Sequence, residues 1–111
     1  MTWTRLCGLD ELPEGEARVF DVGETSLAAA RSGGAVFVVE NRCSHDDGPL
    51  GRGTLVGAGG PAVEIECPRH GARFDLATGR ATRMPAVGPI ATYPARIADR
   101  DVLVDVPAEE P

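Results

Sequence analysis

Both histidines of this 111-residue chain, and two of its three cysteines, fall within two short runs, Cys43-Ser44-His45 and Cys67-Pro68-Arg69-His70. A chain so sparing with soft ligands, which nevertheless sets them in pairs of one cysteine and one histidine, is most simply explained by a bound metal centre. Whatever fold the chain adopts must then bring together two loops that stand 21 residues apart between His45 and Cys67. Function is to be sought in redox or metal chemistry.

The spacing narrows the kind of centre. A structural zinc site usually draws Cys-x2-4-Cys from one knuckle and His-x3-5-His from another, so each knuckle gives one kind of donor. Here each run gives one of each. Two such loops can place both thiolates on one metal and both imidazoles on a second, which suits a binuclear cluster with unlike ends. That division is the ligation of a Rieske [2Fe-2S] centre, in which two histidines replace two cysteines on one iron.

The surrounding residues carry a family resemblance. The run Cys-Ser-His-Asp-Asp-Gly-Pro-Leu at 43 to 50, the run Cys-Pro-Arg-His-Gly-Ala-Arg-Phe-Asp at 67 to 75, Thr78-Gly79, Pro85-Ala86, Pro89-Ile90, Tyr93-Pro94 and the closing Val-Leu-Val at 102 to 104 together resemble a Rieske-type ferredoxin over nearly the whole chain. The resemblance implies an all-β fold, with antiparallel sheets in a base domain and a small cluster-binding subdomain, about residues 41–86, formed by two hairpin loops. It implies one Rieske [2Fe-2S] cluster per chain, held by Cys43, His45, Cys67 and His70, with Gly48, Arg69, Gly71, Ala72, Phe74 and Pro85 around it. It also implies a low-potential one-electron carrier that takes electrons from a reductase and passes them to a terminal oxygenase, such as a ring-hydroxylating dioxygenase, or to another acceptor. No catalytic residue is expected.

Departures from the family pattern are informative. High-potential Rieske proteins carry a further cysteine in each ligand loop and join the two by a disulfide; the matching positions here are Gly48 and Arg69. Those proteins also set serine and tyrosine hydroxyls against the cluster sulfurs, where this chain has Ala72 and Phe74. Without such donors the reduced state loses stabilising hydrogen bonds, and the potential is expected near the bottom of the Rieske range, roughly −150 mV. His45 and His70 are expected to couple electron and proton uptake at alkaline pH.

Fourteen glycines and nine prolines, with short apolar runs between them, favour strands and turns over long helices. Residues 17–22, 25–31 and 35–40 read as strands of the base domain, separated by hairpin turns at Gly23-Glu24 and Ser32-Gly33-Gly34. The alternation of Val63-Glu64-Ile65-Glu66-Cys67 puts Val63, Ile65 and Cys67 on one face and delivers Cys67 to the metal. Val102, Val104 and Val106 share a face of the last strand, and a single helical turn is expected at Asp10-Glu11-Leu12. The stretch between His45 and Cys67 is longer than the family's usual spacing, and Gly-Ala-Gly-Gly-Pro at 57 to 61 reads as an enlarged hairpin turn that takes up the surplus. Gly71 is read either as a positive-φ turn, where backbone has to pass close to a cluster sulfide, or as an ordinary loop residue. Trp3 and Tyr93 are read as core or edge anchors. The domain is taken as residues 1–106, with a loose tail at 107–111.

Cys7, in the apolar stretch from Trp3 to Leu9, reads as a small buried hydrophobe with no disulfide partner. An unpaired cysteine and thiolate ligands fit a reducing compartment, and with no apolar span or signal peptide a cytoplasmic monomer is expected, not bound to membrane. The net charge of −6 and the lack of a basic, aromatic stripe argue against nucleic acid binding. Charge is uneven: residues 1–24 hold six acids and two arginines, whereas residues 66–100 hold three acids and six arginines, an asymmetry that can orient a redox encounter. Two other readings stand beside the oxygenase carrier: an accessory redox ferredoxin for iron–sulfur cluster assembly, and a zinc-stabilised interaction module.

Overall fold

The run Leu27-Ala28-Ala29-Ala30 is buried residue after residue, although a strand turns successive side chains to opposite faces. Such a strand must be covered on both sides, and the computed structural model shows how. It describes residues 3–43, 48–60, 62–69, 71–84 and 88–106. Strands β2 (Ala17–Val22), β3 (Thr25–Ser32), β4 (Ala35–Glu40) and β9 (Thr92–Tyr93) form a central sheet in the order β2-β3-β4-β9. On one side lies a base sheet of β1 (Thr4–Gly8), β10 (Ala95–Ala98) and β11 (Asp101–Val104), in the order β1-β11-β10. On the other lies a sheet of four short strands in sequential order, β5 (Thr54–Val56), β6 (Glu64–Glu66), β7 (Arg73–Asp75) and β8 (Ala81–Arg83). Every pairing among them is antiparallel.

The period of two sorts the central side chains between two apolar clusters. Leu27, Ala29 and Val38 pack with Cys7, Leu12, Val102 and Val104 of the base. Ala28, Ala30 and Val39 pack with Cys43, Leu50, Ile65, Cys67, Phe74 and Leu76 on the other side. The register agrees, since Ala28 faces Val39 and Ala29 faces Val38 across the ladder. Alanine, with one methyl group, lets the two outer sheets approach the middle one closely at native packing density.

The three strands read from sequence at 17–22, 25–31 and 35–40 are present, the second running on to Ser32. Gly33 and Gly34 form the two-residue turn between β3 and β4, with φ of 62° and 80°. Both torsions lie in the left-handed region that such a hairpin requires and that side chains disfavour. The helical turn expected at 10–12 is a 3-10 turn at Leu9–Glu11, one residue earlier, where the Glu11 carboxylate accepts the Gly8 amide at 2.7 Å. The last strand stops at Val104, so Val106 is half-buried beyond it, while Val102 and Val104 share the expected inward face. Trp3 stacks under Arg96, whose guanidinium carbon lies 4.6 Å from the ring centre. The expected tail at 107–111 lies outside the described residues.

The enlarged turn between β5 and β6 is present, with Gly57 and Gly59 at φ of 78° and 84° and Pro61 outside the described residues. It folds back onto the β3–β4 turn, where the Gly59 amide donates to Ser32 Oγ at 2.7 Å. The Glu14 carboxylate fixes that second turn by accepting the amides of Gly33 and Gly34 at 2.6 and 3.1 Å.

Candidate metal centre

Chain leaving β4 runs directly into the first cysteine. Asn41 sits at that exit with its side chain bonded twice: Nδ2 donates to Ser26 Oγ at 3.0 Å, and Oδ1 accepts the Gly51 amide at 2.7 Å. The loop that begins at Cys43 is thus closed at its base before it starts. Inside it, the Cys43 amide donates to the Gly48 carbonyl at 2.8 Å, and Leu50 plugs the core at 0% exposure. Gly51 passes so near β2 that an added Cβ would stand 2.3 Å from Val19 Cγ2.

The second cysteine follows β6, as the alternation required, with Val63, Ile65 and Cys67 all buried. Its loop has the same closure. The Cys67 amide donates to the Ala72 carbonyl, again five residues on, at 2.7 Å, and the Gly71 amide donates back to the Cys67 carbonyl at 3.1 Å. Gly71 holds φ of 74°, and an added Cβ there would meet nothing within 4 Å. Gly71 thus has the positive φ expected of a turn.

Cys43, Cys67, Ala72 and Phe74, at 0, 1, 0 and 0% exposure, all belong to one apolar cluster. No disulfide joins any of the three cysteines. Gly48 is buried and Arg69 exposed. His45, His70 and Pro85 lie outside the described residues, so the imidazole half of the expected ligand set and the expected place of Pro85 beside the cluster have no described geometry.

The chain that re-enters after residues 85–87 is tied down at two points. Ile90 donates its amide to the Gly79 carbonyl at 2.8 Å, and Ala91 donates its amide to Glu40 Oε1 at 2.8 Å. Asn41 and Glu40, neighbours at the end of β4, thereby anchor two separate segments beside Cys43. Sequence reading singled out neither residue; a polar pair at the end of β4, one residue removed from the first ligand run, was the available signal. On the outward face next to Cys67, Glu66 pairs with Arg73 at 2.8 Å and lies 3.6 Å from Arg83.

Away from this region, Cys7 is buried as expected, and burial, followed by the nearby Glu11 charge, pushes its thiol up to about 11. Burial, with Glu40 next, also raises the Tyr93 hydroxyl. A groove of about 560 Å³ between residues 15–19 and 51–55 includes Arg18 and Glu16, which bond each other at 2.8 Å. It includes neither cysteine loop's thiol. Among the described residues, no helix is long and apolar enough to cross a membrane.

A small antiparallel β fold that sets two matched, thiol-bearing loops against one apolar core falls in the class of metal-cluster proteins. The chain belongs to the Rieske [2Fe-2S] domain family, whose model it matches over residues 2–94. It is 34% identical over 105 residues to the 3-phenylpropionate/cinnamic acid dioxygenase ferredoxin subunit of Escherichia coli (strain K12), covering 95% of this chain and 94% of that one. Its structure resembles the Sphingomonas yanoikuyae B1 ferredoxin, with a TM-score of 0.84, 37% identity and coverage of 96% of this chain and 100% of that one. It likewise resembles a chain in the complex of reduced oxygenase and oxidized ferredoxin in carbazole 1,9a-dioxygenase, with a TM-score of 0.79, 30% identity and coverage of 92% and 91%.

Proposed function

We propose that this chain is a one-electron carrier in a multicomponent oxygenase system, taking electrons from a reductase and delivering them to a terminal oxygenase of the ring-hydroxylating kind. Cys43 and Cys67 hold one iron of a Rieske [2Fe-2S] cluster, and His45 and His70 hold the other. The observation that carries this reading is the pair of buried cysteines in one apolar cluster, each on a loop closed by the same amide-to-carbonyl bond five residues on. Two soft donors brought together without a disulfide fit the sulfur half of such a centre. The dioxygenase ferredoxin named among the relatives supports an oxygenase as the acceptor over a role in cluster assembly.

Bound there, the cluster supplies one-electron chemistry; the chain's own residues shape its surroundings. Burial of both cysteines keeps water from the sulfur donors. Ala72 and Phe74 enclose that side without offering a side-chain hydrogen bond, which favours the oxidised state and a low potential. We take residues 41–86 as the cluster-binding subdomain, supported by the separate sheet of β5 to β8 within that span. We take the address as cytoplasmic, since thiolate ligands at Cys43 and Cys67 fit a reducing compartment.

Visible absorption and electron paramagnetic resonance of purified protein test the assignment. A red-brown protein with the signature of mixed nitrogen and sulfur ligation, lost in Cys43→Ser, Cys67→Ser, His45→Ala and His70→Ala, is expected. Zinc in place of iron would reject it.

A further inference from the structure

The outward face of the β5–β8 sheet carries a row of charge that ligation does not use. Ile65 and Cys67 point into the core, so Glu66 between them points out. Across the ladder Glu66 faces Arg73, and Arg73 faces Arg83. Arg73 Nε donates to Glu66 Oε1 at 2.8 Å, and Arg83 stands 3.6 Å from the same oxygen. One carboxylate thus answers two guanidiniums, one residue before Cys67 and one residue before Phe74.

As a source of stability this row is weak, because side chains 31 to 57% exposed are well screened by water. Its charge acts differently on an electron placed beside Cys67. Two ferric ions, two sulfides, two thiolates and two neutral imidazoles sum to zero, and reduction makes that sum −1. Positive charge nearby favours the reduced form and negative charge the oxidised form.

We propose that Glu66 is a tuning residue for the reduction potential: its single negative charge offsets one of the two arginines, so the row raises the potential less than Arg73 and Arg83 would alone. The assignment rests on Cys67 being a ligand, as proposed above. Glu66→Gln removes that charge without changing side-chain shape and shifts the potential up. Arg73→Gln leaves the carboxylate and shifts it down. If the pair served only as structure, both variants would break the same contact and shift the potential in the same direction.

The test is spectroelectrochemical titration of the holoprotein and its variants in about 0.01 M and about 1 M salt. Glu66→Gln is expected to change the reduced-to-oxidised ratio at fixed ambient potential about threefold in favour of reduction. For one electron, at 59 mV per decade, this is about 28 mV. Arg73→Gln should move the opposite way, the double variant should return near wild type, and every shift should shrink in high salt. Shifts of the same sign, or none in low salt, would overturn the proposal. Should Glu66→Gln fail to fold, a downward shift in Arg73→Gln and Arg83→Gln remains required, and its absence is equally decisive. A wild-type protein without the Rieske spectrum would instead overturn the ligand assignment.

Discussion

Ser32 and Gly59 stand 27 residues apart in sequence and meet through one hydrogen bond, the Gly59 amide donating to Ser32 Oγ at 2.7 Å. The bond joins the enlarged turn of the β5–β8 sheet to the tip of the β3–β4 hairpin. Ser32 is the buried polar side chain of the described core, at 5% exposure. Ser32→Ala should therefore cost about 1 kcal/mol in chemical denaturation. Hydrogen exchange at the Gly59 amide should accelerate more than at the amides of β3. Unchanged exchange there would show that the turn holds itself.

Asn41 closes the base of the first cysteine loop through Ser26 and Gly51. Asn41→Ala removes both bonds and should cost about 1–2 kcal/mol, with faster loss of bound iron to a chelator. Asn41→Asp keeps the acceptor for the Gly51 amide and should retain most of the iron. Iron loss in the two variants can be followed by the decay of visible absorbance.

Gly79 links the β7–β8 hairpin to the chain returning at Ile90. Its φ is 78°, and an added Cβ would lie 2.1 Å from the Ile90 carbonyl oxygen, a backbone atom that cannot rotate away. Gly79→Ala should lower stability by about 2–3 kcal/mol. Gly15→Ala, at a φ of 81° with nothing within 4 Å, should cost only about 1 kcal/mol. Comparison of the two denaturation midpoints separates the clash from the torsion.

Cys7 gives the fold an alkaline weakness. Its ordinary thiol value is 9.0, and burial holds it near 11 when folded. The unfolded chain then loses the proton first, so stability is full below pH 9 and declines as pH rises through the window from 9 to 11. The decline should reach about 2 kcal/mol, and Cys7→Ala should remove that part of the pH dependence. Denaturation curves of both proteins at pH 8 and pH 11 decide it.

The midpoint potential of the holoprotein should lie near the bottom of the Rieske range, at roughly −150 mV, because Ala72 and Phe74 provide no hydroxyl. Protein-film voltammetry reads it directly, and a value clearly above zero would contradict the reading.

Much of this architecture was legible because its signals were local. Hairpins over 17–40 followed from short apolar runs divided by glycine, and the inward face of β6 followed from the alternation that ends at Cys67. Strands β1, β5, β7, β8, β9 and β10 were not read as strands. All but β1 are two to four residues long, too short to show a period, and β1 and β9 are held by partners distant in sequence, β11 for the first and Val38 and Val39 for the second. The four-residue buried run in β3 announced a strand but not its two-sided burial, since only the packing of the outer sheets reveals that. Asn41 and Glu40 escaped notice because their importance lies in which amides they reach.

The alanines of β3 set how far the thiol-bearing layer stands from the base. A methyl group can shrink only to hydrogen and can grow only by wedging neighbours apart, so these positions tolerate few replacements in either direction. Exchange of the loop residues between related carriers should therefore succeed more often than any change in this spacer, because the loops can be revised while their foundation has to keep its thickness.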